Sequence, residues 1–179
     1  YVKFGDKKNL LYRIENSEIK PSKNLADSLV SMIKGNQEFV MIDDQKIVYE
    51  NALSLIRKSS SANKNVLIIE GGPGTGKSVV AINLLVAISK IDLNGQYVTK
   101  NAAPRAVFES KLAGTLKKTA ISNMFTGSGS YVGIENNTFD VLIVDEAHRL
   151  NEKSGMFKNL GENQVKEIIE ASKCWIFFI

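Results

Sequence analysis

The chain has 179 residues, 44% of them hydrophobic, which is enough to bury one ordinary core and favours a single domain. Its formal net charge of +4 permits a polyanionic partner but does not indicate a concentrated basic arm. The chain has a single cysteine, which excludes an internal disulfide framework. It also has a single histidine, and these two residues together cannot complete a zinc site. No apolar run approaches the roughly 20 residues of a membrane span and no signal peptide is visible, so we expect a cytoplasmic protein without membrane contact.

Hydrophobic periodicity predicts two helices before the first strand. The first covers residues 22–34, with its apolar side chains on one face. The second begins at Asp43 or Asp44, either of which can cap it. We expect residues 1–36 to be an N-terminal extension of unknown role and residues 37–179 to form one α/β domain.

An apolar strand then runs directly into a glycine-rich segment, residues 71–78, which we call the glycine loop. Its pattern is G-x-x-x-x-G-K-S/T, which builds a phosphate cradle because glycines let backbone N–H groups turn inward and the following helix adds the positive end of its dipole. Lys77 can reach the β- and γ-phosphates, and the Ser78 hydroxyl can ligate Mg²⁺. The alternative, a tight turn without a ligand, leaves Lys77 and Ser78 accidental. The predicted nucleotide-binding residues are Gly72, Pro73, Gly74, Thr75, Gly76, Lys77, Ser78 and Val79.

Strands and helices alternate through the middle of the chain, as an α/β fold requires. A long apolar helix follows the glycine loop, residues 95–99 form the second strand and residues 104–116 the next helix. Residues 126–137 are rich in Gly, Ser and Asn, which predicts a mobile surface loop. Residues 164–171 form a short helix near the end of the chain.

A further buried strand, residues 139–144, ends at two carboxylates, Asp145 and Glu146. Ligands gather at the carboxyl ends of strands in open α/β sheets, so this end and the glycine loop should face one crevice. Asp145 fits the acidic residue that holds Mg²⁺ there, and Glu146 sits where a general base deprotonates the attacking water. Hydrolysis is therefore the predicted chemistry. The alternative is that the two carboxylates only cap the next helix.

The last apolar run, residues 175–179, is predicted to be a strand. The pattern contains four candidate strands, whereas a nucleotide-binding sheet of this type has about five. We therefore expect a RecA-like α/β fold, a mostly parallel sheet sandwiched by helices, that is incomplete and continues beyond residue 179. The alternative is that residues 175–179 are an edge strand completing a small domain.

The spelling of the motifs adds a family resemblance that covers residues 43–179. Residues 71–78, GGPGTGKS, resemble motif I of the superfamily 1 helicases, and residues 145–148, DEAH, are similar to motif II of helicases generally. Residues 97–105, YVTKNAAPR, sit where motif Ia falls and look like an uncharacterised bacterial P-loop family related to the helicase-like region of the group 3 schlafen proteins. The resemblance implies an ATP- and Mg²⁺-dependent hydrolase. This chain would be its first motor lobe, with a second RecA-like lobe expected C-terminal to it.

The resemblance also assigns roles to single residues. Gln45 stands where superfamily 1 helicases carry the glutamine that reads adenine through both ends of its amide; the alternative is an exposed residue in the first turn of a helix. His148 would couple the nucleotide site to the following motif, and its alternative is a partly exposed histidine at a helix start.

Motif Ia contacts the nucleic-acid backbone in the resembling helicases, which implies single-stranded DNA or RNA as a partner. The residues in the matching positions are Thr99, Lys100, Asn101 and Arg105. This segment departs from the commoner alanine-proline-threonine spelling, and the alternative is a plain surface loop.

Three classes of function remain. An ATP-driven nucleic-acid motor explains both motifs and the mild basicity, and it is the function we predict. A P-loop ATPase that acts on proteins, or in signalling or defence, needs no strand, and the chain shows no dense stripe of aromatic and basic residues. A nucleotide-gated binding module predicts that Glu146 can be replaced without loss of function. A GTPase is disfavoured because no guanine-reading motif is present.

Overall fold

The computed structural model describes residues 23–34, 41–155 and 160–179, with side chains from residue 27 onward. None of the helices in these ranges has the length and apolar character needed to cross a membrane. The helices are α1 (Lys23–Ile33), α2 (Asp43–Lys58), α3 (Lys77–Lys90), α4 (Ala102–Leu112), α5 (Lys118–Met124) and α6 (Gln164–Ala171). The strands are β1 (Asn65–Ile69), β2 (Gly95–Thr99), β3 (Phe125–Gly127), β4 (Phe139–Asp145) and β5 (Ser172–Phe178). Two 3₁₀ turns, Ser128–Tyr131 and Ala147–Arg149, follow β3 and β4.

The five strands form one parallel sheet in the order β1-β5-β4-β2-β3. This confirms the predicted α/β class and parallel sheet, which is consistent with a RecA-like fold. Because all strands run the same way, their carboxyl ends meet at one edge. Strand β5 lies between β1 and β4, so one strand separates the glycine loop from Asp145.

Alternate side chains of each strand face opposite sides of the sheet, and the two sides carry separate cores. The larger core lies beneath the five helices α1 to α5. The smaller core lies beneath α6 and the turn after β3. Residues at the centre of the larger core include Leu29, Ile56, Leu85, Tyr97, Phe108, Ile143 and Ile176, and those of the smaller core include Val98, Tyr131, Leu142, Ile168 and Trp175.

Strand β1 is an edge strand in the part of the chain that the structure describes. Its apolar spelling predicts a buried strand, but Val66 and Ile68 are 53% and 58% exposed. These two residues face the thinly covered side of the sheet, whereas Leu67 and Ile69 pack against the larger core. The predicted strand is present, but an apolar sequence does not reveal a strand's place in the sheet order.

Helix α1 packs into the same core as the rest of the domain. Leu29 is fully buried and Met32 nearly so, and Asp27 forms a 2.6 Å ion pair with Lys111 of α4. The predicted boundary at residue 36 lies outside the described residues, as do residues 1–22. The division into an N-terminal extension and one domain therefore stays a prediction.

Helix α2 begins at Asp43 as predicted, but its predicted cap and the predicted start of α4 need correction. The N-cap of α2 is Ile42, and neither Asp43 nor Asp44 caps the helix; instead the Gln45 side chain accepts a hydrogen bond from the Ile42 N–H at 3.3 Å. Helix α4 begins at Ala102 because Asn101 caps it, accepting from the Ala103 N–H at 3.0 Å. A polar side chain therefore supports both helix starts. Gln45 lies inside the first turn of α2, and Asn101 lies just before α4.

The predicted mobile loop at residues 126–137 is partly ordered secondary structure. Residues 125–127 form β3, a strand that is not among the four predicted ones. Tyr131 in the following turn is buried and donates to Gln96 Oε1 at 2.8 Å. A three-residue strand and a single buried tyrosine give no periodic pattern, so composition misled the prediction. Helix α5, which precedes β3, was missed for the same reason.

Candidate active site

The glycine loop connects β1 to α3 at the carboxyl edge of the sheet. Gly76 takes a left-handed conformation, with φ of 85°, and a Cβ there would lie 2.3 Å from Gln45 Nε2. Glycine is therefore required for both backbone angle and space. The Thr75 hydroxyl donates to the Gly72 carbonyl at 2.9 Å and closes the turn. The first N–H groups of α3 have no acceptor within the helix, so this end of the loop suits an anion.

Lys77 lies over the glycine loop itself. Its ammonium donates to the carbonyl of Gly72 at 3.0 Å and also to that of Gly71. These contacts hold the side chain at the mouth of the loop, where a cation faces any anion bound by the loop amides. A neighbouring phosphate would compete with the two carbonyls for the ammonium.

Asp145, at the end of β4, is the polar centre of the site. Its Oδ2 accepts from the Ser78 hydroxyl at 2.8 Å and from the Tyr97 hydroxyl, and its Oδ1 accepts from the Glu146 N–H at 3.0 Å. Asp145 is buried, so these donors replace water around the carboxylate. The structure thus brings together two residues, Ser78 and Asp145, that are 67 positions apart in the sequence. Both supply oxygen atoms, the donors that Mg²⁺ prefers.

Tyr97 was not predicted as a site residue. Burial first, and the charge of Asp145 second, raise the pKa of Tyr97 well above its ordinary value of 10.0. The hydroxyl therefore stays protonated at neutral pH and donates to Asp145. One signal was available: a tyrosine within an apolar strand usually needs a hydrogen-bond partner for its hydroxyl.

Glu146 follows Asp145 and takes a left-handed backbone conformation, with φ of 51°. Non-glycine residues adopt this region at a cost of about 1–3 kcal/mol and often do so at functional sites. Arg149 Nη1 donates to Glu146 Oε2 at 3.2 Å. The Arg149 side chain is 43% exposed, so this ion pair lies at the surface.

Gln45 contacts the glycine loop through one end of its amide. Its Nε2 donates to the Thr75 carbonyl at 2.9 Å, while its Oε1 accepts from the Ile42 N–H. The residue therefore lies beside the loop, where the resemblance places it. The reading of adenine by Gln45 stays a prediction.

The motif Ia residues lie at the end of β2 and the start of α4. Thr99 is 1% exposed and accepts from the Asn101 N–H at 3.3 Å, and Asn101 caps α4. Lys100 is exposed and donates to Asn151 Oδ1 at 2.9 Å. Arg105 lies against Gly127, and its Nε is a buried atom without a hydrogen-bond partner among the described residues. Nucleic-acid contact by these four residues stays a prediction.

His148 lies in the 3₁₀ turn after Glu146 and is exposed. Its coupling role stays a prediction. The structure therefore gathers Gln45, Lys77, Ser78 and Asp145 around the glycine loop and places His148 on the surface beside them.

A parallel α/β sheet with a glycine loop and paired carboxylates at its carboxyl edge fits a nucleotide-binding domain. Comparison with known families agrees: residues 64–179, well over half of the chain, match the family "Schlafen group 3, DNA/RNA helicase domain", and the chain belongs to this family. It is also similar to the uncharacterized protein YPL245W of Saccharomyces cerevisiae, with 27% identity over 150 residues. That match covers 73% of this chain and 33% of the yeast protein, so the chain spans about a third of the length of this curated relative.

Proposed function

We propose that this chain binds and hydrolyses ATP with Mg²⁺ as the first motor lobe of a superfamily 1-like DNA/RNA helicase or translocase. The observation that carries the proposal is the 2.8 Å hydrogen bond between Ser78 and Asp145. It joins the end of the glycine loop to the end of β4, as a shared cation site requires. Membership of a helicase-domain family supports the same class of activity.

The triphosphate would rest on the N–H groups of residues 74–78, at the N-terminal end of α3. The Lys77 ammonium donates to the loop carbonyls in this structure and would turn to the β- and γ-phosphates when they are bound. Ser78 and Asp145 would hold Mg²⁺, which supplies charge neutralisation for the phosphates when bound.

Glu146 would accept the proton of the attacking water. Arg149 Nη1 donates to Glu146 Oε2 at 3.2 Å and so limits where this carboxylate can point. The N–H of Glu146 is bonded to Asp145 Oδ1, so the backbone of the base is tied to the proposed cation ligand. Lys77 would then offset the charge that develops on the γ-phosphate.

A nucleic-acid strand would cross the surface near the end of β2 and the start of α4. Lys100 and Arg105 supply the positive charge there, and the half-buried Asn101 supplies its amide nitrogen, since its Oδ1 caps α4. Thr99 would contribute through its place at the strand end, because its hydroxyl is already bonded. His148 would lie on the neighbouring turn, between this surface and the nucleotide.

Steady-state ATP turnover by the full-length protein tests the proposal, measured with and without single-stranded DNA or RNA. We expect Lys77→Ala to lower turnover about 100-fold to 1,000-fold, because it removes a charge that stabilises the transition state. Lys90→Ala, at the other end of α3, is the matched control and should behave as wild type. Turnover that persists in Lys77→Ala overturns the assignment. Lys77-dependent turnover that ignores both polymers favours an ATPase that acts on proteins.

Glu146→Gln separates binding from hydrolysis. We expect ATP affinity within a few-fold of wild type and turnover lowered by about 100-fold or more, because the amide cannot accept the water proton. Calorimetry gives the affinity and phosphate release gives the rate, with Glu135→Gln as an exposed control. Normal hydrolysis by Glu146→Gln would remove Glu146 from the mechanism. Lost hydrolysis with biological function retained would favour a nucleotide-gated binding module.

A further inference from the structure

We propose that Tyr97 is a positioning residue that fixes the Asp145 carboxylate toward Ser78 and so sets the affinity of the site for a divalent cation. The inference rests on the proposed function, since it concerns the same site. Tyr97 lies within β2 and is 2% exposed, and its hydroxyl donates to Asp145 Oδ2, the oxygen that also accepts from Ser78.

The ring of Tyr97 is held by two neighbours from different elements. Phe108 of α4 meets it edge-on with centroids 5.9 Å apart, and Phe125 of β3 lies 5.7 Å away. These two phenylalanines stack on each other at 5.1 Å. The hydroxyl therefore has a fixed position and cannot follow Asp145 if that carboxylate rotates.

The strand pairing sets which residues can meet. Tyr97 pairs with Ile143, and Thr99 pairs with Asp145, so the tyrosine reaches along its strand direction to the carboxylate two positions further on. A phenylalanine would fill the same space within the aromatic cluster. The hydroxyl is thus not needed for packing, and Asp145 is the acceptor that the structure gives it.

Only some of the donors to Asp145 would keep their hydrogen bonds when a cation is held there. Ser78 would turn its oxygen to the cation and give up its hydrogen bond to the carboxylate. Tyr97 and the Glu146 N–H would remain, one on each carboxylate oxygen. Tyr97 is therefore the side-chain contact that keeps Asp145 oriented in the loaded site, as partners of metal ligands commonly do.

The test is ATPγS affinity of the full-length protein by calorimetry, in Mg²⁺ and in EDTA. We expect Tyr97→Phe to leave affinity in EDTA unchanged and to reduce the tightening produced by Mg²⁺ about 10-fold. Tyr131→Phe is the matched control: it also removes a buried hydroxyl, one that donates to Gln96 on the other side of the sheet. It should lose stability without changing the Mg²⁺ dependence.

A second variant keeps the inference testable if Tyr97→Phe fails to fold. Phe125→Leu loosens the ring without touching the hydroxyl and should reduce the Mg²⁺ effect in the same direction, by a smaller factor. If Tyr97→Phe keeps the wild-type Mg²⁺ dependence, the inference about Tyr97 is overturned and the proposed function stands. The same holds for Phe125→Leu if only that variant folds. Absence of ATPγS binding by the wild-type protein overturns the proposed function together with it, so the two failures are distinguishable.

Discussion

Gln45 joins the start of α2 to the glycine loop through two hydrogen bonds. Its Oε1 accepts from the Ile42 N–H and its Nε2 donates to the Thr75 carbonyl. The same side chain thus completes a helix start and supports a loop that lies thirty residues further along the chain. Any change at Gln45 therefore acts on the loop.

Gln45→Ala separates support of the loop from reading of adenine. We expect affinity for ATP and GTP to fall by a similar factor, because the glycine loop would meet the phosphates that both nucleotides share. Competition binding of the two nucleotides measures this, with Gln37→Ala, upstream of α2, as a control for loss of an amide elsewhere. A loss confined to ATP would establish adenine reading and contradict the loop-support role.

The core site residues were predictable because their pattern is local. Lys77 and Ser78 belong to one eight-residue motif, and Asp145 and Glu146 end one apolar run. Tyr97 was not predictable in this way, since its role depends on β2 lying beside β4 in a register that brings it to a residue 48 positions away. Sequence spacing does not give strand order.

At the scale of the elements, Asp140 connects three strand regions. Its Oδ2 accepts from the Asn94 N–H just before β2 at 2.9 Å, and its Oδ1 pairs with Lys173 of β5 at 2.7 Å. Burial raises the pKa of Asp140, but the hydrogen bonds from Lys173 and Asn94 and the charge of Lys173 lower it by more. The net result is a pKa below the ordinary value of 3.8. The ionised carboxylate therefore stabilises the folded state.

Asp140→Asn should make this contribution visible through pH. Because the pKa is lower in the folded state, the stabilisation is fully present above the unfolded value and is lost as pH falls through the folded value. We expect the variant to lose about 0.5–1 kcal/mol of unfolding free energy at pH 7, as partly exposed ion pairs do, and almost nothing at strongly acidic pH. Urea unfolding at both pH values measures it.

A double-mutant cycle with Lys173→Met controls for effects outside the ion pair. The coupling between Asp140 and Lys173 should account for most of the loss at neutral pH. An equal loss at both pH values would show that the charge of Asp140 is not responsible.

Elements with a clear pattern and a boundary signal were predicted well, and elements without them were not. Helix α6 and strand β2, eight and five residues long, have the predicted bounds. Strand β3 has only three residues, and the seven-residue helix α5 has no side-chain cap to mark its start. They nevertheless matter to the site, since Phe125 at the start of β3 packs against Tyr97.

At the scale of the whole molecule, the two sides of the sheet are covered unequally. Five helices lie over the side that carries Tyr97 and Asp145, while α6 and the turn after β3 cover the other side within the described ranges. The heavier layer holds the glycine loop and α3 against the sheet. This asymmetry leaves rigid support where the proposed chemistry occurs.

The open edge of β1 has a consequence for the solution behaviour of the domain. An edge strand with apolar side chains offers unpaired backbone groups to any other extended chain, and charged residues normally guard against this. The outward positions of β1 carry Val66 and Ile68 instead. A second polypeptide adding there would extend the sheet and lie alongside the chain that enters the glycine loop. Unless that edge is covered, crowding and concentration would favour aggregation, and aggregates nucleated there would begin at the strand that leads into the proposed active site.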